Sequence, residues 1–401
     1  MVQIIRDSIK DWGSNDDVQC VVYESAPRGG KAFCAGGDVR AVYEAGKGPF
    51  PENDRGKGFG MPGCVTADFF RHEYQMNHAI ATLGKPQVAV WDGIVMGGGV
   101  GLTAHGKYRI ATERALFAMP ETAIGLFPDV GMTYALPRLQ PPPSADGTSL
   151  PAGTVGRYLG LTGARLKGGA DLLWSGLATH SLHSSQLPAM HEALTNPSLQ
   201  GDSVGAILDQ LAADAPALLA AEAKNSDAVA SKKAAAPLTE RSAALARCFG
   251  PQHGSVESMV DALRGEVGAA AGGASDEDAA WAAATLKLLA KESPTSLKIT
   301  LEALHRNGQP DVTLGAALAR EFGLVQHCLQ PNGDFYEGVR SVLVDKGKGA
   351  PPAWQPDTLE QIDDAKVASF FEPLDPSVAL ELPRRQRGAG LTDASTTVYN
   401  A

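Results

Sequence analysis

An α/β fold followed by a mainly helical C-terminal region is the architecture this 401-residue sequence predicts. Two observations carry that expectation. Through residues 1 to about 190, short β-branched and apolar runs alternate with helix-like stretches, the pattern of sheets covered by helices. Beyond about residue 190 the apolar spacing turns helical and strand-like runs stop. The chain therefore divides into 1–190 as an α/β core, 191–370 as a helical region completing the fold, and 371–401 as a polar tail. The length suffices for two or three domains' worth of structure and a sizeable core.

Taken in order, strands are predicted at Gln19–Tyr23, Gln87–Trp91 and Tyr108–Thr112, each short and rich in Val, Ile, Tyr or Trp. Asp68–Leu83 reads as a helix, with Phe69, Phe70, Met76, Ile80 and Leu83 near helical spacing and Asp68 as its cap. Residues 46–63 and 140–153 are dominated by Gly and Pro and read as surface loops. The Ala-rich stretches 227–238 and 268–278 read as surface connections or helix ends, and 384–401 as a polar tail without an internal repeat.

Composition narrows the function. Apolar residues make up 44 %, ordinary for a globular chain, and no apolar run has the length of a membrane span. The N-terminus MVQIIRDS shows neither a signal peptide nor a transit pattern. A net charge of −10 excludes a broad phosphate-neutralising surface, which argues against a general nucleic-acid binder but not against a small anionic ligand held by local cations. The five cysteines are scattered, none in C-x-x-C, which fits a reduced compartment and no zinc site.

Two glycine clusters follow strand-like runs: KAFCAGGDVR (31–40) and MGGGVGL (96–102). The second contains GVGLTA (99–104), a loose dinucleotide pattern, but the segment before Tyr108 is too short for a βαβ crossover. GLTAHGKY (101–108) nearly spells a phosphate-binding loop, but Tyr108 stands where a Ser or Thr must reach magnesium. Asp38 has no matching ligand set at metal spacing. Both clusters can be plain tight turns. Together they can also supply two backbone amides to one oxyanion, with the second cluster opening a short helix whose N-terminus favours negative charge.

FAMPETAIGLFPDVG (117–131) adds two acids, Glu121 and Asp129, each next to a proline and set among Phe117, Met119, Ile124, Leu126 and Phe127. Apolar surroundings raise carboxyl pKa values and make such groups usable as acids or bases near neutrality. The alternative for Asp129 is a cap for the helix-like VGMTYAL that follows.

These three stretches, with GLTGARLKG (160–168), GLATH (176–180), SPTSLKIT (293–300) and DFYEGVRSVLVDK (334–346), resemble the crotonase (enoyl-CoA hydratase/isomerase) superfamily, and within it most resemble the 3-hydroxyisobutyryl-CoA hydrolases. The resemblance covers most of residues 15–360. It implies a crotonase-like ββα spiral core and hydrolysis of an acyl-CoA thioester, with the amides of Gly37 and Gly98 on the thioester oxygen and Glu121 as the catalytic carboxylate, acting as base or as nucleophile. Asp129 would orient the substrate's 3-hydroxyl or share the acid–base work, and Glu73 would be a further substrate-contacting acid. The hydratases carry a glutamate where Gly101 stands here, and usually a small residue where Asp129 stands. Losing one of a paired acid–base set costs about 10²–10⁴-fold, so the resemblance favours the hydrolase over a hydratase or isomerase.

No metal or separate cofactor is implied, coenzyme A being part of the substrate. Arg28, Lys31, Lys346 and Lys348 are the candidate cations for its phosphates, each equally able to be solvated surface. Family members begin with a strand pair and a loop, whereas this chain starts inside the first helix, so the N-terminal strands are expected to be missing. The same resemblance implies mitochondria, with peroxisome or cytoplasm as alternatives, no membrane partner, room for a homo-oligomer, and no nucleic acid unless the chain is a hydrolase-like subunit of the mitochondrial ribosome. The inserted loops and Arg384–Arg387 would suit that last role.

Overall fold

The computed structural model describes residues 1–26, 30–47, 63–144, 147–225, 238–269 and 276–382, with backbone alone for 217 and 219–225. Arg28, the Arg384–Arg387 cluster and most of the predicted loop 46–63 and segment 227–238 lie outside the described residues.

Among the described residues, eight strands form two four-stranded sheets. They are β1 (Val21–Tyr23), β2 (Ala32–Cys34), β3 (Gln87–Trp91), β4 (Ile94–Met96), β5 (Tyr108–Ala111), β6 (Leu116–Ala118), β7 (Leu166–Lys167) and β8 (His180–Ser181). The first sheet runs β1-β3-β5-β8, all parallel; the second runs β2-β4-β6-β7, parallel except for the β6–β7 pair. Each of β1, β3 and β5 is followed in sequence by a strand that joins the other sheet. The chain thus winds as a spiral that gives one strand to each sheet per turn.

The corners of the spiral are specified by sequence. Gly93 takes φ +127°, and a Cβ there would lie 2.9 Å from the Lys31 carbonyl, so only glycine lets β3 pass into β4. The buried Asp92 ties this corner to the next. It accepts Thr112 Oγ1 at 2.7 Å and Arg114 Nε at 2.8 Å, with the other guanidinium nitrogen on its second oxygen.

Four helices frame the N-terminal half: α1 (Val2–Ser14), α2 (Val39–Lys47), α3 (Val65–Ala81) and the single turn α4 (Gly98–Gly101). Ile9 of α1 packs on Met76 and Ile80 of α3. Val88, Val90 and Ile110 of the first sheet pack against Met190, Leu194, Val204 and Leu208 from the helices that follow β8. The main core joins Trp91 and Phe117, with ring centroids 6.0 Å apart, to Phe70, Val130, Leu297 and Phe322. The C-terminal helices Pro294–Asn307 and Leu314–Cys328 therefore share a core with the sheets.

Three expectations are adjusted. The helix predicted at Asp68 begins at Val65; Asp68 is inside its first turn and accepts the Gly63 amide at 2.9 Å rather than capping the start. The strands at 19–23 and 108–112 are shorter, at Val21–Tyr23 and Tyr108–Ala111, whereas Gln87–Trp91 matches. Residues 371–382, expected as polar tail, lie on the fold. Val378 and Leu380 are buried, Arg71 of α3 donates to the carbonyls of Val378 and Ala379 at 2.9 Å each, and Gln75 donates to Glu381 at 2.9 Å.

Phe117 is fully buried where the two sheets meet Trp91. Phe117→Ala should cost ~3–5 kcal/mol in urea unfolding, from lost transfer energy plus the cavity left behind; a loss under ~1 kcal/mol would place the main core elsewhere.

Candidate active site

The site follows from the second sheet. Within it β2, β4 and β6 are parallel neighbours, with Met96 opposite Ala118 and Cys34 opposite Val95. Their C-terminal ends therefore share one edge of the sheet, where α/β folds commonly build sites. Just past those ends stand Gly36 and Gly37, then Gly97 and Gly98, then Glu121 on a 3₁₀ turn Glu121–Ile124.

The two glycine clusters meet there. The Cβ position of Gly98 lies 3.2 Å from Gly37 N, and that of Gly36 lies 3.8 Å from Gly98 N. The Cβ position of Gly97 lies 3.2 Å from Glu121 Oε1, and a Cβ on Gly98 would run into Glu73 Oε1. Gly37, Gly98, Glu73 and Glu121 thus occupy one patch, and the glycines keep it open. The short helix expected at the second cluster is α4, with Gly97 before it at φ 51°. A helix of one turn ahead of β5 also leaves the dinucleotide pattern without its crossover helix.

Helix α3 lines the other side. Phe69 packs beside Gly37, Glu73 beside Gly98 and Asn77 beside Gly101, a row at four-residue spacing on one helix face. One residue along, the buried Tyr74 donates its hydroxyl to Asp129 Oδ2 at 2.8 Å. Asp129 is therefore engaged with α3, and the alternative that it caps the helix-like segment is not realised. Gly131 precedes the short helix Met132–Ala135, which has no side-chain cap.

The loop carrying Asp129 is held under constraint. Val130 adopts φ 54°, an outlier for a β-branched residue. His105 Nε2 donates to the Val130 carbonyl at 2.7 Å. Glu321, fully buried on the helix Leu314–Cys328, accepts the Gly131 amide at 2.7 Å, the Thr133 amide at 3.1 Å and the Thr133 hydroxyl. Asn307 Nδ2 donates to that same hydroxyl at 2.7 Å. Contacts on both sides of Val130 hold the strained geometry in place.

The electrostatics are those of several acids in a dry space. Burial, then the charges of Asp129 and Glu73, push Glu121 well above the usual carboxyl range, and its Oε2 has no hydrogen-bond partner. Burial and the Asp129 charge bring Glu73 to about 8. Asp129 rises only to about 6, because the Tyr74 hydroxyl and its own backbone amide oppose burial. Glu321 stands at about 8 and Glu292, which bears on Glu121, at about 7, both chiefly from burial. Among the described residues no group of three or more His, Cys, Asp or Glu is placed to hold a metal ion.

Lys31, Lys346 and Lys348 are exposed, and a polar cleft of about 260 Å³ beside Gly125, Thr295 and Lys366 contains none of the predicted site residues. Tyr74, Asn77 and Glu321 were not anticipated from sequence. Glu73 and Asn77 carry a readable signal, two polar residues four apart on a helix face that also holds Phe69.

A family model described as enoyl-CoA hydratase/isomerase matches residues 1–371. The chain belongs to the enoyl-CoA hydratase/isomerase family. Among curated proteins, the mitochondrial 3-hydroxyisobutyryl-CoA hydrolase of Xenopus tropicalis is 38 % identical over 383 residues, covering 93 % of this chain and 82 % of that protein. The 3-hydroxyisobutyryl-CoA hydrolase 1 of Arabidopsis thaliana is 38 % identical over 358 residues, covering 89 % and 81 %. A solved carnitinyl-CoA dehydratase from Mycobacterium thermoresistibile aligns with a TM-score of 0.70 at 30 % identity, over 95 % of this chain and 91 % of that one. The fold is the crotonase-like spiral expected from sequence. This member of the enoyl-CoA hydratase/isomerase family has no room for a side chain at position 101. A Cβ on Gly101 would lie 2.6 Å from Val130 Cβ and 2.8 Å from Asn77 Nδ2.

Two outcomes follow for this patch. Gly98→Ala should fold and lose activity by 10²-fold or more, since its methyl enters the space between Glu73 and the Gly37 amide; steady-state turnover beside a circular-dichroism melt checks it. Each buried carboxyl is held above its unfolded value, so its contribution to stability is whole below about pH 4 and is lost as pH rises through about 6 for Asp129, 7 for Glu292 and 8 for Glu73 and Glu321. The thermal midpoint should therefore fall from pH 5 to pH 9, less steeply in Glu73→Gln. A flat profile in both proteins would contradict this.

Proposed function

We propose that this chain hydrolyses 3-hydroxyisobutyryl-CoA to 3-hydroxyisobutyrate and free coenzyme A. The observation that carries this reading is the meeting of two glycine loops with the buried carboxyl of Glu121, where position 101 has no room for a glutamate. A thioester is already activated, so the main demand is to stabilise the oxyanion formed when water adds to its carbonyl. The amides of Gly37 and Gly98 supply that, and one such donor accounts for ~2.7–4 kcal/mol of barrier.

Glu121 takes the proton of the attacking water; burial makes its carboxylate a stronger base once ionised. The carbon–sulfur bond then breaks, and the proton passes to the departing sulfur. Asp129 accepts a hydrogen bond from the substrate's 3-hydroxyl, and Glu73, beside Gly98, borders the acyl group. The step uses water and no metal or redox group. Lys31, Lys346 and Lys348 are the exposed cations assigned to the coenzyme phosphates. The frog relative is named mitochondrial, and we place this chain in the same compartment.

The relatives named hydrolase reach 38 % identity, against 30 % for the solved dehydratase. The absence of a carboxylate at position 101 separates the two chemistries in the same direction. A hydratase reading needs that acid, and Gly101 with Val130 against it leaves none.

Release of free thiol from a panel of acyl-CoA esters tests the proposal. Glu121→Gln should lose 10²-fold or more with an unchanged melt; near-wild-type turnover would reject the assignment. Asp129→Asn should cost more for 3-hydroxyisobutyryl-CoA than for isobutyryl-CoA. Rapid hydration of crotonyl-CoA by the wild-type chain would overturn the choice of hydrolase.

A further inference from the structure

Asp129 has two carboxylate oxygens, and a buried side chain bonds one of them. Oδ2 receives the Tyr74 hydroxyl at 2.8 Å, a contact between two buried side chains. The Tyr74 ring cannot swing away. It is fully buried and packs edge-on against Phe70 at 6.0 Å and Phe322 at 6.5 Å. Its hydroxyl is held far above its ordinary ionisation range by burial and the surrounding acids, so it stays a donor at every working pH.

The groups facing Asp129 are otherwise poor partners for a carboxylate. They are Glu73 from α3, Glu121 from the 3₁₀ turn, and Glu321 and Cys328 from the helix Leu314–Cys328. His105 is neutral, pushed down to about 4 by burial, and spends its Nε2 proton on the Val130 carbonyl. Tyr74 is the side-chain hydroxyl bonded to Asp129 in this surrounding.

We propose that Tyr74 is the positioning residue for substrate selection: its hydroxyl occupies Asp129 Oδ2 and leaves Oδ1 to receive the hydroxyl of a 3-hydroxyacyl thioester. The proposal rests on the reading that Asp129 meets that hydroxyl. Tyr74 then has two effects. It fixes the carboxylate plane, and with it the direction of Oδ1. It also keeps Asp129 ionised near neutrality, as an acceptor, against the pull of burial. Because Tyr74 adjoins Glu73, one turn of α3 sets both the acid beside Gly98 and the acid that reads the substrate.

The experiment compares 3-hydroxyisobutyryl-CoA with isobutyryl-CoA, which lacks only the hydroxyl, in wild type, Tyr74→Phe and Asp129→Asn. Tyr74→Phe keeps the ring and its packing. It should lower kcat/KM for the hydroxylated ester about 10- to 100-fold, the scale of a lost hydrogen bond to a charged group, and change the other ester by less than about twofold. Its acid limb for the hydroxylated ester should move to higher pH, because removing a donor to the ionised form raises the Asp129 pKa. The ratio between esters within one preparation does not depend on how much of the variant folds. Equal losses on both esters, or an unmoved acid limb, would overturn the role of Tyr74. If Asp129→Asn costs both esters equally, so that the wild-type preference survives, the underlying reading of Asp129 fails instead.

Discussion

The parallel pairing of β2, β4 and β6 is the constraint on which the rest depends. Parallel strands end on the same side, about 4.8 Å from one neighbour to the next. Three chain segments remote in sequence are therefore delivered to one edge as two glycine turns and a carboxyl, without any long loop having to find its partner. Hydrophobic pairing in the sheet, such as Val95 with Phe117, fixes the register, and the register fixes the distance between Gly98 and Glu121. A slip of one residue would turn Phe117 out of the core and displace Glu121 from Gly97. The chemistry of the site and the stability of the core are thus not separable properties here.

The site holds Glu73, Glu121 and Asp129 among buried neighbours, with Glu321 and Glu292 behind them. A structure selected for stability alone would pair such groups with bases or replace them with apolar residues. Here burial is opposed by hydroxyl and amide donors and, at Glu292, by the charge of Lys291, and it is opposed unequally. Asp129 has Tyr74 and stays nearest the ordinary range, at about 6; Glu121 has an oxygen with no partner and is shifted far above it. Neighbouring acids whose proton affinities are pushed apart can hold different protonation states at one pH, which is what assigns them different tasks.

Much of this was legible in the sequence because glycine and proline punctuate it. The two glycine clusters mark the turns beyond β2 and β4, and Val88–Trp91 is an unbroken apolar run rich in Val and Trp, which fits a fully buried strand. The helix start at Val65 was not legible, because Cys64 carries no capping signal and Asp68 imitates one. Tyr74 reads as an ordinary core aromatic until the fold brings it to Asp129. Glu321 is remote in sequence from the loop it holds, and no local pattern marks a helix acid as the acceptor for the Gly131 and Thr133 amides. Residues 371–382 hold Phe371, Leu374, Val378, Leu380 and Leu382, which pack inward, but Pro373, Pro376 and the interspersed acids leave no helix or strand period to read.

The same distant clamp bears on which reaction the fold performs. The second carboxylate of a hydratase would need space at position 101, and Val130 fills that space. Val130 can do so because its backbone is left-handed, a conformation that a β-branched residue adopts at a cost of ~1–3 kcal/mol and holds only when its surroundings over-determine it. The over-determination comes from His105 on its carbonyl and Glu321 on the next amide, each a buried polar group that would itself be costly if left unpartnered. A side chain at 101 would therefore meet Val130, on the same loop that carries Asp129. The loop geometry that crowds position 101 is also the geometry that carries Asp129, so on the proposed reading the two differences from a hydratase come from one structural cause.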